Sequence, residues 1–199
     1  MTTAPSAKRS KLTLADFLAH SDETGDRYEL VEGELKRMAL GTGLHGAIIE
    51  FTNDEFRAEI KRLGQPWTSK QAAIAIQSPR GRRWETYRIP DVMVLPIEQW
   101  QALLQREAVI TLDRPVPILV VEVVSPSTQL EDYRAKHAEY GVLEISEYWI
   151  VDPSAEAVMI CVFENGGYTD RRFVEDELLR SKVFSELKLT ARQVLTAQR

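Results

Sequence analysis

Ile118-Leu119-Val120-Val121-Glu122-Val123-Val124 is the stretch on which the reading of this chain turns. Aliphatic residues follow one another with a single interruption, the pattern of a strand covered on both faces rather than one. Alternation puts Val120, Glu122 and Val124 on one face and Leu119, Val121 and Val123 on the other. Glu122 is therefore an acid inside an apolar strand. Taking an ionised carboxylate out of water costs roughly several kcal/mol. The position calls for a cation, a Lys or Arg partner, or a cleft open to water.

Working outward, Ser125-Pro126-Ser127 ends the strand, and Thr128 with Glu131 has the spacing of a capping box. The spacing predicts a helix to about Tyr140, stopped by Gly141, with Asp132, Lys136 and Tyr140 on one face. Upstream, strands are predicted over residues 71–77 and 87–95, joined by the basic turn Ser78-Pro79-Arg80-Gly81-Arg82-Arg83. The second of these contains Pro90-Asp91, again an acid among apolar neighbours (Ile89, Val92, Val94, Leu95). Proline removes a ladder hydrogen bond, so the strand lies at an edge, carries a bulge, or bends near Asp91. If the two strands are neighbours, Asp91 and Glu122 converge, and two carboxylates are the smallest oxygen set that suits Mg²⁺. Lys136 returns over the same cleft, where an ammonium orients water and neutralises phosphate charge. As a plain surface pair with Asp132 it is worth only ~0.2–0.5 kcal/mol.

The rest of the chain supplies the frame. Residues 1–10 read as a disordered tail, followed by a short helix capped by Thr13 and by strands on either side of Glu32-Gly33 that form a β-hairpin. From His45, the residues Ile49, Thr52, Phe56, Ile60 and Leu63 recur at helical spacing, and Gly64 stops the run. A short helix is expected over residues 96–106, strands over 147–151, 157–163 and 168–173, and a last helix capped by Thr190. Helices interleaved with strands, then hairpins, make an α/β (α+β) fold around a mixed sheet, with an N-terminal and C-terminal hairpins. Residues 11–199 are expected to form one domain.

Composition narrows the function. The chain has 199 residues, 25 Lys+Arg against 30 Asp+Glu, and a net charge of −5. The single cysteine, Cys161, excludes an internal disulfide and a Cys-rich zinc site, and among its apolar neighbours it reads as a buried hydrophobe. No apolar run approaches the ~20 residues of a membrane span, and residues 1–11 lack the apolar segment of a secretory signal. A cytoplasmic protein without a membrane partner is expected. Acidity argues against broad electrostatic binding of nucleic acid, although a metal-dependent nuclease must concentrate carboxylates. His20 and His137 show no partner pattern and read as surface residues.

Pro90-Asp91, then Val121-Glu122-Val123-Val124-Ser125-Pro126-Ser127, then Asp132 with Lys136, then Glu147-Tyr148-Trp149-Ile150-Val151-Asp152-Pro153 resemble the Uma-two family, formerly a domain of unknown function. That family lies within the PD-(D/E)xK restriction-endonuclease-like superfamily, and Tyr28-Glu29-Leu30-Val31-Glu32-Gly33-Glu34-Leu35 and His45 fit the same pattern. The resemblance implies a restriction-endonuclease-like mixed sheet flanked by helices, a divalent metal (Mg²⁺, with Mn²⁺ as substitute), and hydrolysis of DNA phosphodiesters. It carries metal binding onto Asp91, Glu122 and the backbone carbonyl of Val123. The superfamily lysine belongs two residues after the glutamate, where this chain has Val124; the resemblance moves that role to Lys136. Glu29 and His45 are supporting candidates, and Arg80, Arg82 and Arg83 are candidates for contact with a phosphate backbone. Cutting both strands at once takes two sites, which leaves room for a homodimer. Two other readings stand beside the nuclease: a catalytically silent binding or assembly module on the same fold, and a hydrolase of another phosphoester such as RNA.

Overall fold

The computed structural model describes residues 11–20, 27–79 and 85–198. The expected tail at residues 1–10 and the candidates Arg80, Arg82 and Arg83 lie outside these described residues. Thr13 caps α1 (Leu14–Ala19) through a full capping box with Asp16. The hairpin follows as β1 (Tyr28–Val31) and β2 (Glu34–Arg37). Its two turn residues, Glu32 and Gly33, both take positive φ, which is what a two-residue turn needs to match strand twist. Helix α2 (Gly43–Leu63) begins at Thr42, whose hydroxyl accepts the His45 N–H, and ends at left-handed Gly64. Its buried stripe runs through Ile48, Thr52, Asn53, Phe56, Glu59 and Ile60, one residue earlier at its start than the Ile49 register predicted.

The next four strands correct the sequence reading. The run predicted as one strand over residues 71–77 is two, β3 (Trp67–Gln71) and β4 (Ala75–Gln77). The run over 87–95 is likewise two, β5 (Tyr87–Arg88) and β6 (Val92–Pro96). The breaks face each other: Ala72 has a φ of 43°, Pro90 has no N–H to give, and the Ala72 N–H donates to the Asp91 carbonyl at 3.0 Å. At this point both segments, β3–β4 and β5–β6, change sheet. A five-stranded sheet runs β2-β1-β5-β4-β7, with β7 at Val109–Ile110. A six-stranded sheet runs β11-β10-β9-β8-β6-β3. Its inner strands are β6, β8 (Leu119–Val123), β9 (Glu147–Asp152) and β10 (Ala157–Glu164), and β11 (Gly167–Val174) and β3 form the edges. The sheet is mixed, because β8 pairs parallel to β9 and antiparallel to β6. The helix expected over residues 96–106 is shorter, α3 (Ile97–Gln101).

Both faces of β8 are covered, as its composition requires. Leu119, Val121 and Val123 pack with Trp149, Val151 and Ile160 against Ile48, Phe56 and Ile60 of α2. Val194 of the C-terminal helix α5 (Ala191–Thr196), which follows the Thr190 cap, joins them. On the opposite face Val120 and Val124 pack with Tyr148 and Ile150 against Tyr140 and Ile145. Each fully buried aliphatic or aromatic side chain contributes about 1.5–3 kcal/mol through lost apolar hydration.

The helix over this second face departs from prediction in two ways. It opens with a π-helical turn, Glu131–Lys136, and continues as α4 (His137–Val142). The Thr128 hydroxyl receives the Ser125 N–H at 3.0 Å instead of capping Glu131, so the predicted capping box does not form. Gly141 lies inside α4, where its bare Cα faces the Tyr168 ring, and the helix ends only at Leu143 and left-handed Glu144.

Candidate functional site

Asp91 and Glu122 meet where β6 starts and β8 ends. The break at Pro90 frees Asp91 from strand pairing, and its Oδ2 accepts the Val123 N–H at 2.7 Å. One residue earlier on β8, Glu122 points to the opposite face and is 3% exposed. Its Oε2 lies 2.8 Å from Lys136 Nζ, and its Oε1 accepts the Tyr140 hydroxyl proton at 2.7 Å. Lys136 also pairs with Asp132 at 3.0 Å and lies 3.9 Å from Glu29. The structure thus brings Asp91, Glu122, Lys136 and Glu29 together, and Lys136 faces the interior rather than solvent. The wide π-helical turn matters here, because it aims both Asp132 and Lys136 inward at the Glu122 side of the sheet.

His45 approaches from the other face. Its Nε2 lies 3.0 Å from the Val123 carbonyl oxygen and 3.8 Å from Asp91 Oδ2. Helix α2 holds the residue in its first turn, where the Thr42 cap fixes the backbone.

A second layer escaped the sequence reading. Arg88, 1% exposed on β5, donates to Glu29 at 2.9 Å, to Glu131 at 2.6 Å, and to both carboxylate oxygens of Glu139. Ser78 also donates to Glu139. Glu29 in turn accepts the Ile89 N–H, so β1, β5 and the Lys136 helix are tied through one guanidinium. The signal was present in the sequence: Arg88, like Glu122, is a charged residue among apolar strand neighbours, two positions before Pro90-Asp91.

Charge balance sets the protonation. Burial pushes the Glu122 carboxyl well above its ordinary range, with Asp91, Asp132 and Glu29 adding to the push and Lys136 opposing it. Burial likewise raises Asp91, against the Val123 N–H, Lys136 and His45. Lys136 loses hydration too, but Glu122, Glu29 and Asp132 outweigh that loss, and its pKa rises. The pair is asymmetric for a simple reason: one ammonium faces three acids, while Glu122 faces one ammonium and other acids. Burial opposes ionisation of Glu29, yet Lys136 and Arg88 prevail and lower it. Tyr140 is raised by burial and by Glu122, so it keeps its proton and donates it.

The donor set suits a hard divalent cation. Asp91 and Glu122 supply carboxylate oxygens, and Val123 supplies a carbonyl between them. Among the described residues no hydrogen bond reaches Asp91 Oδ1, and its side chain keeps 13% of its surface exposed. Asp132 is buried as well, and the Lys136 ammonium 3.0 Å from its Oδ1 is the same cation that serves Glu122.

Other sequence expectations sort themselves by packing. Cys161 is fully buried, as expected of a hydrophobe. His137 is a correction: it is half-buried, and its Nε2 lies 3.0 Å from Asp170 Oδ1, across from Cys161. Among the described residues these three are the trio of His, Cys and acidic side chains close enough to share an ion, within 4.8 Å. Burial and then Asp170 push the Cys161 thiol up, so it stays protonated and donates to the carboxylate. Arg171 and Arg172 are exposed on β11.

Comparison with known proteins follows the same outline. Residues 14–192 match the Uma2 family model, described as "Putative restriction endonuclease". No curated protein matches the chain. The fold is similar to a crystal structure of a putative nuclease belonging to DUF820 from Anabaena variabilis ATCC 29413. The TM-score is 0.73 at 17% identity, covering 94% of this chain and 98% of that one. No helix among the described residues is long and apolar enough to cross a membrane.

Proposed function

The chain belongs to the Uma2 family, and from that premise we propose that it is a Mg²⁺-dependent endonuclease hydrolysing DNA phosphodiester bonds at Asp91, Glu122 and Lys136. One observation carries the reading: a protonated lysine, Lys136, stands 2.8 Å from a buried glutamate that shares the end of β8 with Asp91. Asp91, Glu122 and the Val123 carbonyl would hold the ion. When bound, Mg²⁺ lowers the pKa of water and stabilises charge on the phosphate. The side chains do the remaining work. The Val123 N–H fixes the Asp91 carboxylate, and the Tyr140 hydroxyl fixes that of Glu122. Lys136 acts as a cation rather than a base, since its raised pKa keeps the ammonium charged at neutral pH. It is placed to orient the attacking water and to offset phosphate charge.

Calorimetric titration of Mg²⁺ and Mn²⁺ into wild type, Asp91→Ala and Glu122→Ala, with plasmid nicking on the same samples, tests the assignment. Saturable binding and nicking in wild type, both lost in each variant, are expected. Undiminished nicking by Asp91→Ala would sink the proposal. Ion binding without nicking points to another phosphoester such as RNA. The net charge of −5 favours a second reading, a silent module on the same fold, and absence of binding at millimolar metal supports it.

A further inference from the structure

The Asp91–Glu122 reading leaves one close neighbour without a role. His45 lies beside the candidate cation site through two separate contacts, 3.0 Å to the Val123 carbonyl and 3.8 Å to Asp91 Oδ2. Two ligands at about 2.1 Å from one octahedral ion, at right angles, are themselves about 3 Å apart. The imidazole nitrogen and the Val123 oxygen already have that spacing.

The placement is built rather than incidental. A Cβ at Gly41 would sit 2.6 Å from His45 Nδ1 and 2.8 Å from Cγ, so only glycine leaves the ring its place. Thr42 fixes the His45 backbone, and the 21-residue α2 is anchored in the core by Ile48 and Phe56. The imidazole is not sealed in: 20% of the side chain is exposed. A histidine that merely packed a helix start would need neither the Gly41 recess nor a line to both Val123 and Asp91.

We propose that His45 is a metal ligand, joining Asp91, Glu122 and the Val123 carbonyl, and that the site therefore prefers Mn²⁺ to Mg²⁺. The proposal rests on the reading of Asp91 and Glu122 as the metal site. The chemistry is that of ligand softness. Mg²⁺ is held by oxygen and gives up water reluctantly, whereas imidazole nitrogen binds first-row transition ions better. To ligate, Nε2 must present its lone pair, so the ring binds with its proton on Nδ1, and the Val123 carbonyl is released from the imidazole and freed as a ligand in the same event.

The test uses the full chain with Mn²⁺ and Mg²⁺ as the probes. Calorimetry on wild type, His45→Ala, Gly41→Ala and Asp91→Ala gives affinities, and electron spin-echo spectroscopy of the Mn²⁺-loaded protein detects a coordinated nitrogen. Wild type should bind Mn²⁺ more tightly than Mg²⁺ and show nitrogen modulation. His45→Ala should lose about tenfold or more in Mn²⁺ affinity, in line with the usual cost of disturbing a metal site, with Mg²⁺ affinity little changed and the modulation gone. Gly41→Ala should move the same way, because its methyl group displaces the ring. Circular dichroism confirms that the variants fold. An unchanged Mn²⁺ to Mg²⁺ ratio in His45→Ala, or no nitrogen modulation in wild type, overturns the role of His45. If ion binding survives Asp91→Ala, the metal-site reading itself fails, and this inference falls with it.

Discussion

Two buried glutamates stand on neighbouring strands and live by opposite rules. Glu147, at the start of β9, is fully buried and meets only neutral donors. The Trp149 indole N–H and the Ser181 hydroxyl donate to one oxygen, and the backbone N–H groups of Lys182 and Val183 to the other. Glu122, on β8, takes one neutral donor, Tyr140, and otherwise depends on Lys136. Around it Glu29, Asp132, Glu131 and Glu139 share Lys136 and Arg88. A carboxylate satisfied by fixed dipoles is structural, because nothing further is wanted there. A carboxylate held in a crowd of acids has affinity to spare for a cation.

Each side of that contrast can be stressed in turn. Arg88→Met should have the largest effect, since it strands three buried or half-buried acids on one missing guanidinium. A loss of about 3–5 kcal/mol, read from the urea midpoint, is expected, and a loss under 1 kcal/mol would show that the hub is not a structural tie. Glu147→Ala should cost about 3 kcal/mol by leaving buried donors unpaired, while Mn²⁺ and Mg²⁺ binding stays at the wild-type level. If ion binding vanished in a folded Glu147→Ala protein, the division between the two acids would be wrong.

Glu122→Gln probes the other side through pH. The folded carboxyl is raised above its ordinary value of 4.5, so its contribution is complete below that pH and is lost as pH rises through the raised value. Metal-free wild type should therefore lose stability relative to Glu122→Gln as pH climbs from about 4.5, by up to about 1.4 kcal/mol per pH unit for one proton. Parallel stability curves for the two proteins would contradict the raised value. The smallest effect belongs to Tyr140→Phe, which removes one hydrogen bond to Glu122 and should cost about 1 kcal/mol without disturbing the fold.

Local pattern was enough for much of this molecule. The Glu32-Gly33 turn, the Thr13 and Thr190 caps, the Gly64 stop and the doubly covered β8 follow from backbone preference and hydrophobic spacing, which act over a few residues. The family too was legible, because Pro90-Asp91, Glu122 and Lys136 stand in order along the chain. What the sequence did not reveal has a common cause. The breaks at Ala72 and Pro90 lie within runs that look continuous, and only the pairing of two sheets makes a bend there favourable. The capping box at Thr128 lost to a turn with Ser125, and Gly141 stayed in its helix because Tyr168, distant in sequence, packs over it. Arg88 and its three carboxylates come from segments up to 59 residues apart, and His45 reaches Val123 across 78. Charge type was written locally; which charges meet was decided by strand order and by the π-helical turn. Coulomb energy depends on distance through space, and folding alone sets that distance.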